Sequence, residues 1–128
     1  MTEHRYDVIG RSYARTRRED PRIAAQIEDA LGPVRTIANI GAGTGNYEPA
    51  DRIVTAVEPS PAMVSQRVGR SSRVVRSTAE RLPFVDRSFD AALGVLTIHH
   101  WTDVAAGLRE MARVADRQVI MYFEPLRT

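Results

Sequence analysis

The chain has 128 residues, long enough to bury the core of one domain. Its 43% hydrophobic and 27% charged content is that of an ordinary globular protein, which excludes a disordered or fibrous chain. The formal charge of +2 is too small to argue for nucleic acid by itself, and the absence of cysteine and lysine excludes disulfides, thiol nucleophiles, thiolate metal sites, Schiff bases and a Walker-type phosphate lysine.

The first residues, MTEHRYD, lack the apolar core of a signal peptide, and no apolar run approaches a membrane span, so a cytoplasmic protein is expected. In PRIAAQIEDAL (21–31), Ile23, Ile27 and Leu31 recur at helical spacing. Asp20 is placed to cap this helix, Pro21 fits its first position, and Gly32-Pro33 ends it. TIANI (36–40) reads as a buried strand, followed at once by GAGTG; NYEPAD leaves room for about one helical turn before RIVTAV (52–57), a second strand ending at Glu58. Ser60-Pro61 opens a helix predicted to run from Pro61 to Val68, and RVVR (73–76) is a third strand. FDAALGVL (89–96) is apolar on both faces, as a buried parallel strand is. A helix over 103–114 and a strand QVIMYF (118–123) complete the pattern. Strands alternating with helices predict an α/β fold, a doubly wound, mostly parallel Rossmann-like sheet of about five strands.

Ligands bind such sheets beyond the carboxyl ends of the strands, where the strand order reverses. Gly41, Gly43 and Gly45 follow the first strand, Glu58 the second, Thr78, Ala79 and Glu80 the third, and Thr97, His99, His100 and Trp101 the fourth. Glycines let a ligand approach the backbone, and a carboxylate ending the second strand can accept hydrogen bonds from both ribose hydroxyls. The dinucleotide fingerprint G-x-G-x-x-G does not fit, because the third glycine comes one place early and Asn46 holds the last position. A pyrophosphate also needs the N-terminus of a proper helix, and the short crossover offers little. An adenosyl sulfonium has no phosphate and loses nothing by this.

IGAGTG, VEPSPAM and STAERLPFVDRSFDAALGVLTIHHW, in that order, resemble the motifs of class I S-adenosylmethionine-dependent methyltransferases, in particular the type 11 group acting on small molecules, quinone precursors among them. YDVIGRSYARTR is similar to the segment that covers the cofactor in that family. The resemblance spans nearly the whole chain, taken as one domain over 1–128. It implies S-adenosyl-L-methionine as cofactor, held by Gly41, Ala42, Gly43 and Gly45 under its methionine and ribose, Glu58 on the ribose hydroxyls, and Pro59 and Met63 walling the adenine. Ala79 and Glu80 would border the adenine edge, with Leu96 near the cofactor and Tyr13 at its amino-acid end. Family members usually carry acids where Asn39 and Thr78 stand; Asn39 keeps an acceptor for the cofactor's ammonium without the charge, and Thr78 offers the adenine amino group a weaker partner.

Methyl transfer from a sulfonium chiefly needs orientation and exclusion of water; a weakly acidic acceptor needs a base as well. His99 and His100 are the candidates for that base, against the alternative that Trp101 and one histidine merely pack there. Tyr6 and Tyr13 could line the acceptor pocket. A metal site from His4, His99 and His100 is not expected, since adjacent histidines at a strand end diverge. The clusters Arg15, Arg17, Arg18 and Arg67, Arg70, Arg73, Arg76 read as solvated surface, with an RNA-facing patch, and hence an RNA methyltransferase, as the competing reading. Family members continue past the fifth strand with a helix and an antiparallel hairpin. The sequence therefore predicts an incomplete domain, with an apolar edge open to a second copy or a partner, one sheet face short of a covering helix, and the alternative role of a non-catalytic cofactor-binding module.

Overall fold

The structure, a computed structural model, describes residues 19–67 and 72–122. Helix α1 spans Pro21–Leu31. The Asp20 carboxylate accepts from the Arg22 amide at its start, Pro21 needs no partner for a missing N–H, and Gly32 (φ 66) ends it by donating to the Glu28 carbonyl. There follow β1 (Thr36–Ile40), β2 (Ile53–Val57), α2 (Pro61–Ser65), β3 (Arg73–Val75), β4 (Phe89–Val95), a 3-10 turn (Ile98–His100), α3 (Val104–Val114) and β5 (Ala115–Met121). The five strands form one parallel sheet in the order β3-β2-β1-β4-β5. Succession runs outward from β1 on one side and from β4 on the other, so the order reverses between β1 and β4.

Alternation along the strands sends side chains to two cores. Ile37, Val54, Ala91 and Leu93 pack with Ile27 and Leu31 of α1, joined by Val119 and Met121 of β5. Ala38, Ile40, Val57 and Ala92 pack with Met111 and Val114 of α3, and with Ala79 and Leu82 of the loop after β3. Both faces of the sheet are thus covered, and the face expected to lack a helix beside β5 is met by α1.

Three differences from the sequence reading exceed one residue. Helix α2 stops at Ser65, short of the predicted Val68, because the Gln66 amide already turns back to the Met63 and Val64 carbonyls in a tightened last turn. Strand β5 begins at Ala115 rather than Gln118, directly from α3, in register with Phe89 of β4. Its exposed Asp116 and Arg117 hide its start from an argument based on apolar runs. It ends at Met121, before the predicted 123.

The third difference lies between β1 and β2, where the expected helical turn is absent and residues 41–52 are turns and bends. Tyr47, in the left-handed region (φ 64) and 4% exposed, fills the α1-side core in place of a helix. Its hydroxyl accepts from the Asp20 amide (2.7 Å), and its own amide donates to Glu19 Oε2 (2.9 Å). A buried aromatic ring contributes about 1.5–3 kcal/mol, which offsets the left-handed backbone cost of roughly 1–2 kcal/mol.

Candidate functional site

The glycine loop leaves β1 at the point of strand reversal. Gly41 (φ 64) lies against Thr97, which leaves β4: a Cβ at Gly41 would come within 1.9 Å of Thr97 Oγ1. Backbone angle and contact both exclude a side chain there. Gly43 (φ 56) is the opposite case, since a Cβ would meet nothing within 4 Å among the described residues. The space over Gly43 is therefore open to a ligand. The Ala42 amide donates to the Val57 carbonyl (2.9 Å), pinning the loop to the end of β2.

Glu58, 7% exposed, fastens the same loop from the other side. Its Oε1 accepts from the Gly43 amide (2.7 Å) and its Oε2 from the Ser60 amide (2.9 Å). A carboxylate offers about four acceptor sites, so about two are left for a ligand, the number a vicinal diol requires. Ser60 in turn caps α2 through the Met63 amide (3.3 Å), and Pro59 and Met63 are exposed.

Beneath the loop lies a buried polar cluster. Asn39, 2% exposed, donates its side-chain amide to Glu48 Oε2 (2.7 Å). Glu48 Oε1 accepts from the Arg67 guanidinium (2.6 Å) and from the Ser72 hydroxyl. The Arg67 and Glu48 side chains are 3% and 1% exposed, and a second Arg67 nitrogen donates to the Gly43 carbonyl (3.3 Å). The sequence reading put Arg67 on a solvated basic face. It is instead a buried counter-ion, while Arg73 and Arg76 are exposed as expected and Arg70 lies outside the described residues.

The segment after β3 is held by α3. Thr78 is exposed, Ala79 is buried in the α3-side core, and the Glu80 carboxylate accepts from the Asp103 amide (3.0 Å) at the start of α3, so that side chain is committed to a helix end. Glu110 Oε1 accepts from the Leu82 amide (2.8 Å), and Arg113 donates to the Leu82 and Phe84 carbonyls (3.0 and 2.7 Å). The hydrogen bond from Arg113 is the main reason the Glu110 carboxyl titrates below its ordinary value.

After β4, Leu96 takes a left-handed conformation (φ 53) and donates its amide to the Met121 carbonyl (2.8 Å), which turns the chain into the 3-10 turn. The His99 and His100 rings do not diverge: the turn brings their centroids to 4.3 Å at 40°. Partial burial, and then the neighbouring His100, push the His99 pKa below its ordinary value. Trp101 packs on α3, where a Cβ at Gly107 would lie 2.4 Å from its ring. Among the described residues no group of three metal-ligating side chains occurs. His4, Tyr6 and Tyr13 lie outside the described residues.

Residues 38–123 match the family model of the type 11 methyltransferase domain. The chain belongs to this family of class I methyltransferases. It is 30% identical to the uncharacterized methyltransferase YcgJ of Bacillus subtilis over 74% of its length, covering 45% of that protein. It is 31% identical to the demethylmenaquinone methyltransferase of Corynebacterium kroppenstedtii over 84% of its length and 44% of the relative. A crystal structure of a SAM-dependent methyltransferase from Thermotoga maritima superposes with a TM-score of 0.71 at 31% identity, over 88% of this chain and 54% of that one. The chain thus spans about half the length of the relatives it matches.

The methyltransferase fold brings Asn39, the glycine loop, Glu58, Leu96 and Thr97 around one point of strand reversal. Several supporting residues escaped the sequence reading. Glu48 and Tyr47 sit in a loop with no periodicity, and nothing in the sequence of the 103–114 helix singled out Glu110 and Arg113. The one usable signal was chemical: NYEPAD is too short for a helix, so something else had to fill that space.

Proposed function

We propose that this methyltransferase domain binds S-adenosyl-L-methionine beyond the ends of β1, β2 and β4 and transfers its methyl group to a small-molecule acceptor. The observation that carries this reading is the Glu58 carboxylate, fixed by the Gly43 and Ser60 amides beside the open space over Gly43. That arrangement offers two preoriented acceptors to a ribose diol with no provision for a phosphate. The cofactor, when bound, supplies an electrophilic methyl group on sulfonium sulfur.

The chain's own part is orientation. Glu58 would hold the ribose, Pro59 and Met63 would flank the adenine, the Ala79 backbone would address its edge, and Leu96 would wall the sulfur side. His99, kept neutral at pH 7 by its lowered pKa, would take the proton of a hydroxyl acceptor. A small-molecule acceptor fits the name of the demethylmenaquinone relative. Titration calorimetry with S-adenosylhomocysteine tests the reading. Glu58→Ala should weaken binding about ten- to hundredfold, as expected for a hydrogen bond to a charged group worth about 1.5–3 kcal/mol. Absence of binding to the folded wild-type protein would refute it.

A further inference from the structure

Asn39 is a buried polar side chain near the end of β1, and the cluster beneath the loop shows how its amide is made directional. Glu48 is paired with the Arg67 guanidinium at 2.6 Å, so it is a carboxylate and accepts only. An amide facing an acceptor-only group must present its NH2 end, and Asn39 does so at 2.7 Å. Its Oδ1 is thereby turned away from Glu48, and it accepts no hydrogen bond among the described residues. Without Glu48 the amide could sit either way round. Arg67 also grips the Gly43 carbonyl, so one ion pair sets both the amide and the loop.

We infer that Glu48, held by Arg67 and Ser72, is a positioning residue that fixes Asn39 with its Oδ1 as the acceptor for the ammonium of a bound amino-acid ligand. This rests on the proposed cofactor reading and adds to it the means by which an uncharged side chain recognises the amino-acid end. The carboxylate does not touch the ligand; it decides which end of Asn39 does.

Two probes separate the parts of the ligand: S-adenosylhomocysteine, and 5′-methylthioadenosine, which keeps adenosine and sulfur and lacks the amino-acid portion. Glu48→Gln, shown to be folded by its thermal transition, should weaken S-adenosylhomocysteine tenfold or more and leave 5′-methylthioadenosine within twofold. The exchanged protein Asn39→Asp/Glu48→Gln, which keeps one acid and one amide in contact, should recover most of the loss. Asn39→Ala, which leaves the Glu48–Arg67 pair intact, should show the same selective loss, and its binding S-adenosylhomocysteine as the wild type does would overturn the inference even if neither Glu48 variant folds. A parallel loss of both probes, or no loss of either, would overturn the inference. A wild-type protein that binds neither probe would instead remove the cofactor reading beneath it.

Discussion

Gly41 and Gly43 share a left-handed backbone yet face opposite surroundings, and replacing each by alanine separates fold from ligand space. At Gly41 the new methyl would lie 1.9 Å from Thr97 Oγ1, 2.8 Å from its Cβ and 3.1 Å from its Cγ2. Thr97 is 5% exposed and has little room to retreat. The left-handed penalty of roughly 1–2 kcal/mol adds to roughly 1–3 kcal/mol of overpacking, a total of about 2–5 kcal/mol. At Gly43 only the first cost applies, about 1–2 kcal/mol, because a methyl there meets nothing within 4 Å among the described residues. With about 4 °C per kcal/mol for a domain of this size, thermal melting should fall by about 8–20 °C for Gly41→Ala and about 4–8 °C for Gly43→Ala. Ligand affinity should follow a different order, with the folded Gly43→Ala protein losing S-adenosylhomocysteine binding because its methyl occupies ligand space. A Gly41→Ala protein as stable as the wild type, or a Gly43→Ala protein that binds normally, would refute this reasoning.

Gly107→Ala should destabilise by about 1–3 kcal/mol of overpacking against the Trp101 ring, less about 1 kcal/mol of gained helix propensity. In a Trp101→Leu background the same change should become neutral or stabilising in urea titrations. The Glu110 carboxyl titrates below its ordinary value of 4.5 because of Arg113, so its contribution is present above that pH and lost as pH falls through the lower folded value. Arg113→Met should flatten the acid limb of a urea-midpoint profile below pH 4.5; an unchanged limb would contradict the pairing. If His99 takes the proton of a hydroxyl acceptor, turnover should hold at neutral pH and decline only below the ordinary histidine value of 6.5, and His99→Ala should remove that limb from the pH–rate profile.

The alternation of strands and helices was legible because buried parallel strands such as FDAALGVL are apolar on both faces, and because Asp20, Pro21 and Gly32 mark a helix by local chemistry. Strand β5 was legible only in its second half. Near its start Asp116 and Arg117 are exposed and charged, and pairing with β4 rather than burial makes them part of the strand. The glycine loop and Glu58 could be placed from order along the chain, since position after a strand determines position at the sheet edge. Glu48 and Arg67 could not. They are 19 residues apart, and a buried ion pair has no periodicity to betray it, so Arg67 looked like one more surface arginine. The pair of histidines shows the same limit, because a 3-10 turn reverses the divergence expected of neighbours on a strand.

An adenosyl ligand at the reversal between β1 and β4, with its ribose on Glu58, is the feature on which the proposed activity depends. Backbone amide chemical shifts, followed while S-adenosylhomocysteine is added, report on it directly, because the Gly43 and Ser60 amides both donate to that carboxylate. The account predicts the largest changes at Gly43 and Ser60, with lesser ones at Gly41, Ala79, Leu96 and Thr97. Saturable changes centred instead on the amino-terminal ends of β1 and β4, around Arg35 and Asp90, or none at all, would contradict it.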